Sequence, residues 1–258
     1  MQLTYNQKQS ILTQGYVHIP GVVPQVMIDK ALHAINHSIG EGMDAADMRT
    51  MRSRSYCTEL QKDPVILDLL YKTPAWTLAE SAIGQDKIKP TSSGQIALRF
   101  PSLVDPPPEP HPHLDGMHSP HNGVPKGEIR NFTMLVGIAL SNVSAPYSGN
   151  FTVWPRTHTL FQDYFREHGP ESLLKGMPDV ELPEPHQLLA KAGDVMLVHY
   201  EVAHSAAIYP AYCLSQPLRT HRISPFYSWL AQVIPVSDFR KRQISVIERL
   251  SKGPLYLA

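Results

Sequence analysis

His111-Pro112-His113-Leu114-Asp115-Gly116 follows directly on the proline run Pro106-Pro107-Pro108-Glu109-Pro110. In an extended segment successive side chains alternate, so His113 and Asp115 project from one face. An imidazole and a carboxylate so placed can both ligate a divalent cation. One further His from a distant strand completes a two-His-one-carboxylate face that leaves positions open on the metal. Ligation by His111 and His113 is the competing choice, and it leaves Asp115 without a task. A His-x-Asp pair alone occurs by chance in many chains, so its meaning depends on what surrounds it.

The chain of 258 residues accommodates one large domain, and its 42% hydrophobic and 18% charged residues describe an ordinary globular protein. With 23 basic and 23 acidic residues the formal net charge is zero, which argues against electrostatic binding to nucleic acid or an anionic membrane. Two cysteines, Cys57 and Cys213, offer neither a zinc spacing nor a disulfide scaffold. No basic start precedes an apolar N-terminal core, and no apolar run reaches membrane-spanning length, so a cytoplasmic location is expected. Histidine is abundant, with 13 residues, and it crowds at His111, His113, His118 and His121.

The pattern along the chain changes from helical to extended. Residues 4–14 predict a helix stopped by Gly15, Tyr16–Ile19 a strand and Pro20-Gly21 a turn. From Pro24, apolar residues Met27, Ile28, Ala31, Leu32, Ile35 and Ile39 recur at helical spacing up to Gly40. The polar stretch 41–58 predicts a surface loop. Asp63-Pro64 and Pro74 open two more helices, the second ending at Gly84. Beyond Lys87, strands are expected at Gln95–Phe100, Phe132–Leu140, Val195–Tyr200 and Arg222–Trp229, and Gly149–Pro155 predicts a turn into another short strand. Residues 156–187 predict an excursion over one mouth of the sheets, and Ser237–Leu250 a closing helix. Helices first and strands later indicate a mainly β core buttressed by N-terminal helices.

His204 follows the strand at 195–200 and is the candidate third ligand. A dicarboxylate cosubstrate chelating the metal needs a cation at its far end, and Arg219 and Arg222 are available downstream. At this point the chain resembles the phytanoyl-CoA hydroxylase-like family of Fe(II)/2-oxoglutarate dioxygenases. The likeness includes Gly15-Tyr16-Val17-His18-Ile19-Pro20-Gly21, Asp63-Pro64-Val65-Ile66-Leu67-Asp68-Leu69-Leu70 and His113-Leu114-Asp115-Gly116. It continues in Gly149-Asn150-Phe151-Thr152-Val153-Trp154-Pro155-Arg156-Thr157-His158, similar to an Asn-Gly…Pro-Gly-Ser-His segment, and in Ala192-Gly193-Asp194-Val195-Met196-Leu197-Val198-His199. Each is weak alone, but five in order over most of the chain are specific.

The resemblance implies a double-stranded β-helix (jelly-roll, cupin-like) core in one domain, 1–258. Residues 1–86 would support it, 87–229 would form it with an excursion at about 156–190, and 230–258 would be a helical tail. It implies Fe(II) held by His113, Asp115 and His204, with Arg222 on the distal carboxylate of 2-oxoglutarate and Arg219 as its rival. Thr133 and Arg99 are further candidate contacts to the cosubstrate. The implied reaction consumes O2, decarboxylates 2-oxoglutarate to succinate and CO2, and hydroxylates an unactivated C–H bond of a small molecule, with ascorbate as reductant in vitro. Asp115 favours hydroxylation over halogenation. Arg156 departs from the family's glycine and puts a charge near the site mouth, while His118, His121 and His199 are not expected as ligands, and the first two are expected at the entrance instead. Two other functions stay open: hydroxylation of a protein or peptide side chain, and a non-catalytic metal-binding jelly roll. A monomer and a homodimer are equally compatible with the tail.

Overall fold

A computed structural model describes residues 1–42, 55–99, 101–102, 108–119, 124–130, 132–207, 209–210 and 227–234. Helix α1 (Tyr5–Gln14) starts at a capping box in which the Thr4 hydroxyl accepts from the Gln7 backbone and the Gln7 side chain accepts from the Thr4 backbone. It stops at Gly15, whose φ of +84° is left-handed backbone that glycine adopts without strain. Strand β1 (Tyr16–Ile19) follows, then α2 (Gln25–Gly40), which buries Ile28, Ala31 and Ile35. Helices α3 (Pro64–Tyr71) and α4 (Pro74–Ile83) each place Pro in the first turn behind a capping side chain, Asp63 or Thr73.

The strands then accumulate: β2 (Gln95–Arg99), β3 (Pro101–Ser102), β4 (Met134–Ala139), β5 (Phe151–Val153), β6 (His186–Gln187), β7 (Val195–His199), β8 (His204–Ala206), β9 (Tyr209–Pro210) and β10 (Tyr227–Ile234). Helix α5 (Thr157–His168) and a 3-10 turn (Pro170–Lys175) lie between β5 and β6. One sheet has the order β1-β7-β4-β10-β2, a second β6-β5-β8, and β3 pairs with β9 alone. All pairings in the first two sheets are antiparallel.

Central strand β4 is buried on both faces, which explains its unbroken apolar run. Met134, Val136 and Ile138 pack into a core with Ile28, Ile66, Leu69 and Leu78 of the helices. Leu135 and Ala139 face the other way, into a cluster with Met196 and Val198 of β7 and Val153 of β5. The large sheet is thus a partition, with helices on one side and the small sheet on the other.

Two expectations need correction. Residues 55–57 are not surface loop: Ser55, Tyr56 and Cys57 are buried. Tyr56 forms an isolated antiparallel bridge with Ile96, and the Ser55 hydroxyl accepts from the Ile96 backbone, which satisfies the edge of β2. A 3-10 turn (Thr58–Lys62) then leads to α3. The last described strand runs from Tyr227 to Ile234, five residues past the expected Trp229, and pairs with both β2 and β4. Residues 222–226 and the expected tail helix at 237–250 lie outside the described residues. No helix among the described residues is long and apolar enough to cross a membrane.

Gly15 also fills a tight corner. A Cβ there would sit 2.3 Å from Val202 Cγ2 and 2.6 Å from His158 Nδ1. Gly15→Ala should therefore destabilise the fold by about 2–4 kcal/mol, from combined backbone strain and overpacking. Urea unfolding measures this, and a loss below about 1 kcal/mol would mean that α1 does not dock here as described.

Candidate metal centre

His113 and His204 are joined as an isolated antiparallel bridge beside β8, in which each residue's N–H donates to the other's carbonyl, at 3.0 and 3.1 Å. Cross-strand partners project to the same side, so the two imidazoles lie together, with ring centroids 4.5 Å apart. Asp115, two residues on, returns to that side. Its carboxylate oxygens lie 3.3 Å from His204 Nε2 and 3.7 Å from His113 Nε2. One ligand atom from each of the three lies within 4.8 Å of the others.

Leu114 explains why the His-x-Asp segment holds this pose. It points opposite to its neighbours and is buried with Trp154, Phe161 and Phe165. Ala203, the residue before His204, is buried in the same cluster. Both ligand-bearing segments are therefore anchored on one apolar body built around α5. His204 is buried and its Nδ1–H donates to the Val202 carbonyl at 3.0 Å, which turns Nε2 toward Asp115. The Phe151 ring packs on the outer side of His204, with centroids 5.7 Å apart. The His113 side chain is half exposed, as befits the open side of a site.

The charges suit a cation. Burial opposes ionisation of Asp115, but His204, then His113, outweigh it and hold the carboxyl at about 2. Crowding of the His113 ring nitrogens away from water on the site side first, then the charges of His204 and Arg99, lower His113 against the pull of Asp115. Burial works against protonation of His204 as well, yet the Asp115 carboxylate and the Val202 carbonyl together raise it above its usual range. A carboxylate anion and two imidazoles, one with its distal nitrogen already tied to a carbonyl, form a donor set that fits a divalent metal.

Of the other candidates, Arg99 ends β2, where its guanidinium donates to the Leu98 carbonyl and its charge acts on His113. Thr133 is buried just before β4 instead of on it, and it makes no hydrogen bond to the three ligand candidates. Arg219, Arg222 and His121 lie outside the described residues. His111 contributes its backbone carbonyl to the His113 ring, and its own ring is not in the cluster. His118 is exposed and donates to the Val124 carbonyl. His199 is buried at the end of β7, its Nδ1 accepting from the Glu201 backbone. Arg156 is exposed with a φ of +70°, the left-handed backbone that the family's glycine would suit.

No protein-family model matches this chain, and no curated protein matches it in sequence. Solved structures do. The chain is similar to HygX from Streptomyces hygroscopicus, solved with nickel and 2-oxoglutarate bound (TM-score 0.56, 15% identity, covering 93% of this chain and 89% of that one). It is also similar to SnoK, a non-heme alpha ketoglutarate dependent carbocyclase from nogalamycin biosynthesis (TM-score 0.55, 15% identity, 90% and 84% covered). A third likeness is to the epimerase SnoN in complex with Fe3+, alpha ketoglutarate and nogalamycin RO (TM-score 0.50, 18% identity, 98% and 91% covered). At these identities the likeness establishes a shared fold, one that non-heme, 2-oxoglutarate-dependent enzymes use.

One titratable group on the ligand loop carries no sequence signal. Glu201 is buried three residues before His204, and Tyr200 donates to its carboxylate at 2.8 Å. Burial lifts its carboxyl from 4.5 to about 7, against smaller opposing pulls from the Tyr200 hydroxyl and Arg166. Between those two values the unfolded chain releases this proton while the folded chain keeps it, so rising pH works against the fold. Glu201→Gln should leave stability unchanged near pH 4 and raise it by about 3 kcal/mol above pH 7. Urea midpoints at both pH values check this, and an equal gain at the two would rule out the titration.

Proposed function

We propose that this protein is an Fe(II)- and 2-oxoglutarate-dependent dioxygenase that hydroxylates an unactivated C–H bond of a small organic molecule. The observation that carries the reading is the convergence of His113, Asp115 and His204 within 4.8 Å, in a fold shared with 2-oxoglutarate-dependent enzymes. In this reading the two sheets belong to one jelly-roll domain that spans the chain and works in the cytoplasm. The small-molecule substrate is favoured by relatives of the fold such as SnoN, solved with nogalamycin RO.

His113 Nε2, His204 Nε2 and one Asp115 oxygen would hold Fe(II), three ligands that leave room for a chelating cosubstrate and O2. Bound there, the metal and 2-oxoglutarate supply the oxidising chemistry, in which 2-oxoglutarate and O2 yield succinate, CO2 and a hydroxyl group on the substrate. Asp115 contributes the anionic charge that partly neutralises the cation. Its ionised state above about pH 2 keeps it a ligand across the physiological range. The Val202 carbonyl keeps the His204 proton on Nδ1 and leaves Nε2 as the donor atom. Arg222 would pair with the distal carboxylate of 2-oxoglutarate, with Arg219 as the alternative, and Arg99 at the end of β2 and Thr133 just before β4 would contact the cosubstrate or substrate.

Purified protein given Fe(II), ascorbate and 2-oxoglutarate under air should form succinate slowly even without a substrate, and Asp115→Ala should abolish it. If wild-type protein neither binds nor consumes 2-oxoglutarate, the oxygenase reading is wrong. Arg222→Ala should raise the 2-oxoglutarate concentration needed by at least about tenfold, the expected loss on unpairing a buried carboxylate, with iron binding unchanged. The same effect from Arg219→Ala, with Arg222→Ala silent, would reassign the clamp.

A further inference from the structure

Beyond the three ligand candidates, Thr157 engages the ligand loop directly through its side chain. It is fully buried at the first position of α5. A threonine at a helix start commonly caps its own helix. This one does not: α5 begins at Arg156 with no side-chain cap. The Thr157 hydroxyl instead donates to the Trp154 carbonyl at 2.8 Å and accepts from the Ala203 backbone N–H at 2.9 Å. The Ala203 carbonyl in turn accepts from the Trp154 N–H at 2.9 Å. Both backbone groups of Ala203 are thus fixed by the Trp154–Thr157 turn, while both backbone groups of the next residue, His204, are fixed by His113. The four bonds together set the direction in which His204 leaves the main chain.

We propose that Thr157 is a positioning residue for the metal ligand His204, acting through the backbone of Ala203. Its hydroxyl has one proton and two lone pairs, so it can donate to the Trp154 carbonyl, which the Thr157 N–H also reaches at 3.4 Å, while it accepts from the buried Ala203 N–H. Without it the Ala203 N–H is left unpaired and one of the two bonds that hold Ala203 to the Trp154–Thr157 turn is lost, which loosens the alignment of the His204 imidazole with Asp115 and His113. The fit of threonine is specific, because valine has the same shape but cannot accept from Ala203.

This inference rests on the metal reading of the triad, and its test separates the two. Co(II) serves as the probe, with affinity measured by calorimetry and ligand geometry by its visible absorption, neither requiring turnover. Wild-type protein should bind Co(II) and His204→Ala should not. Thr157→Val should weaken Co(II) binding by about 10–100-fold and alter the spectrum, whereas Thr157→Ser should stay within about threefold of wild type. Should Val not fold, Thr157→Ala takes its place. Leu78→Ala, in the helical core far from the ligand loop, should lower thermal stability but leave Co(II) affinity unchanged. Wild-type affinity and spectrum in the Val variant would overturn the proposal, as would a Ser variant as weak as Val or an equal loss in Leu78→Ala. Unchanged Co(II) binding by His204→Ala would overturn the metal reading itself, and this proposal with it.

Discussion

Two backbone hydrogen bonds join the residue before Leu114 to the residue after Ala203, and the candidate centre depends on them. The pairing of His113 with His204 brings together segments separated by most of the β-rich half of the chain. It fixes both imidazoles on one face. Leu114 and Ala203, the neighbours of the paired residues, then share one buried cluster with Trp154 and Phe161. Apolar packing on one side and donor atoms on the other follow from strand alternation alone. A partly buried carboxylate paired between two imidazoles is a costly arrangement for a structural protein to keep. It is an economical one for a protein that binds a cation.

The remainder of the fold supports that pair. The large sheet divides the helical core from the space between the sheets, and its strand β4 is apolar on both faces for that reason. Gly15 lets α1 turn sharply into β1 while its carbonyl accepts from the His199 backbone, so the first helix reaches the strand that leads to the ligand loop. His158 reaches the Leu12 carbonyl from α5 and ties the same corner.

Much of this was legible in the residues. Asp63 with Pro64 marked the start of α3, Pro74 and Gly84 the ends of α4, and Gly15 the stop of α1, because such signals are local; the caps at Thr4 and Thr73 emerge only from the structure. His113 and Asp115 were legible as a pair because strand alternation is local too. That His204 meets them depends on the route of the intervening chain; its place after the strand at 195–200 made it a candidate, and the resemblance singled it out. The burial of Ser55–Cys57 was hidden, since a polar stretch gives no periodic sign that it will cover a strand edge. Thr157 was quoted within Pro155-Arg156-Thr157-His158, yet its partner Ala203 is 46 residues away and no spacing rule joins them. Thr133 was expected on a strand because the apolar run extends through it, but pairing of β4 begins one residue later.

The central claim is that one divalent metal sits between His113, Asp115 and His204. Crystals of protein loaded anaerobically with Fe(II) and 2-oxoglutarate, measured on both sides of the iron absorption edge, test it most directly. The account predicts a single strong anomalous peak bonded to both Nε2 atoms and one Asp115 oxygen, with 2-oxoglutarate density beside it. An anomalous peak elsewhere, or none at the three side chains, would contradict it.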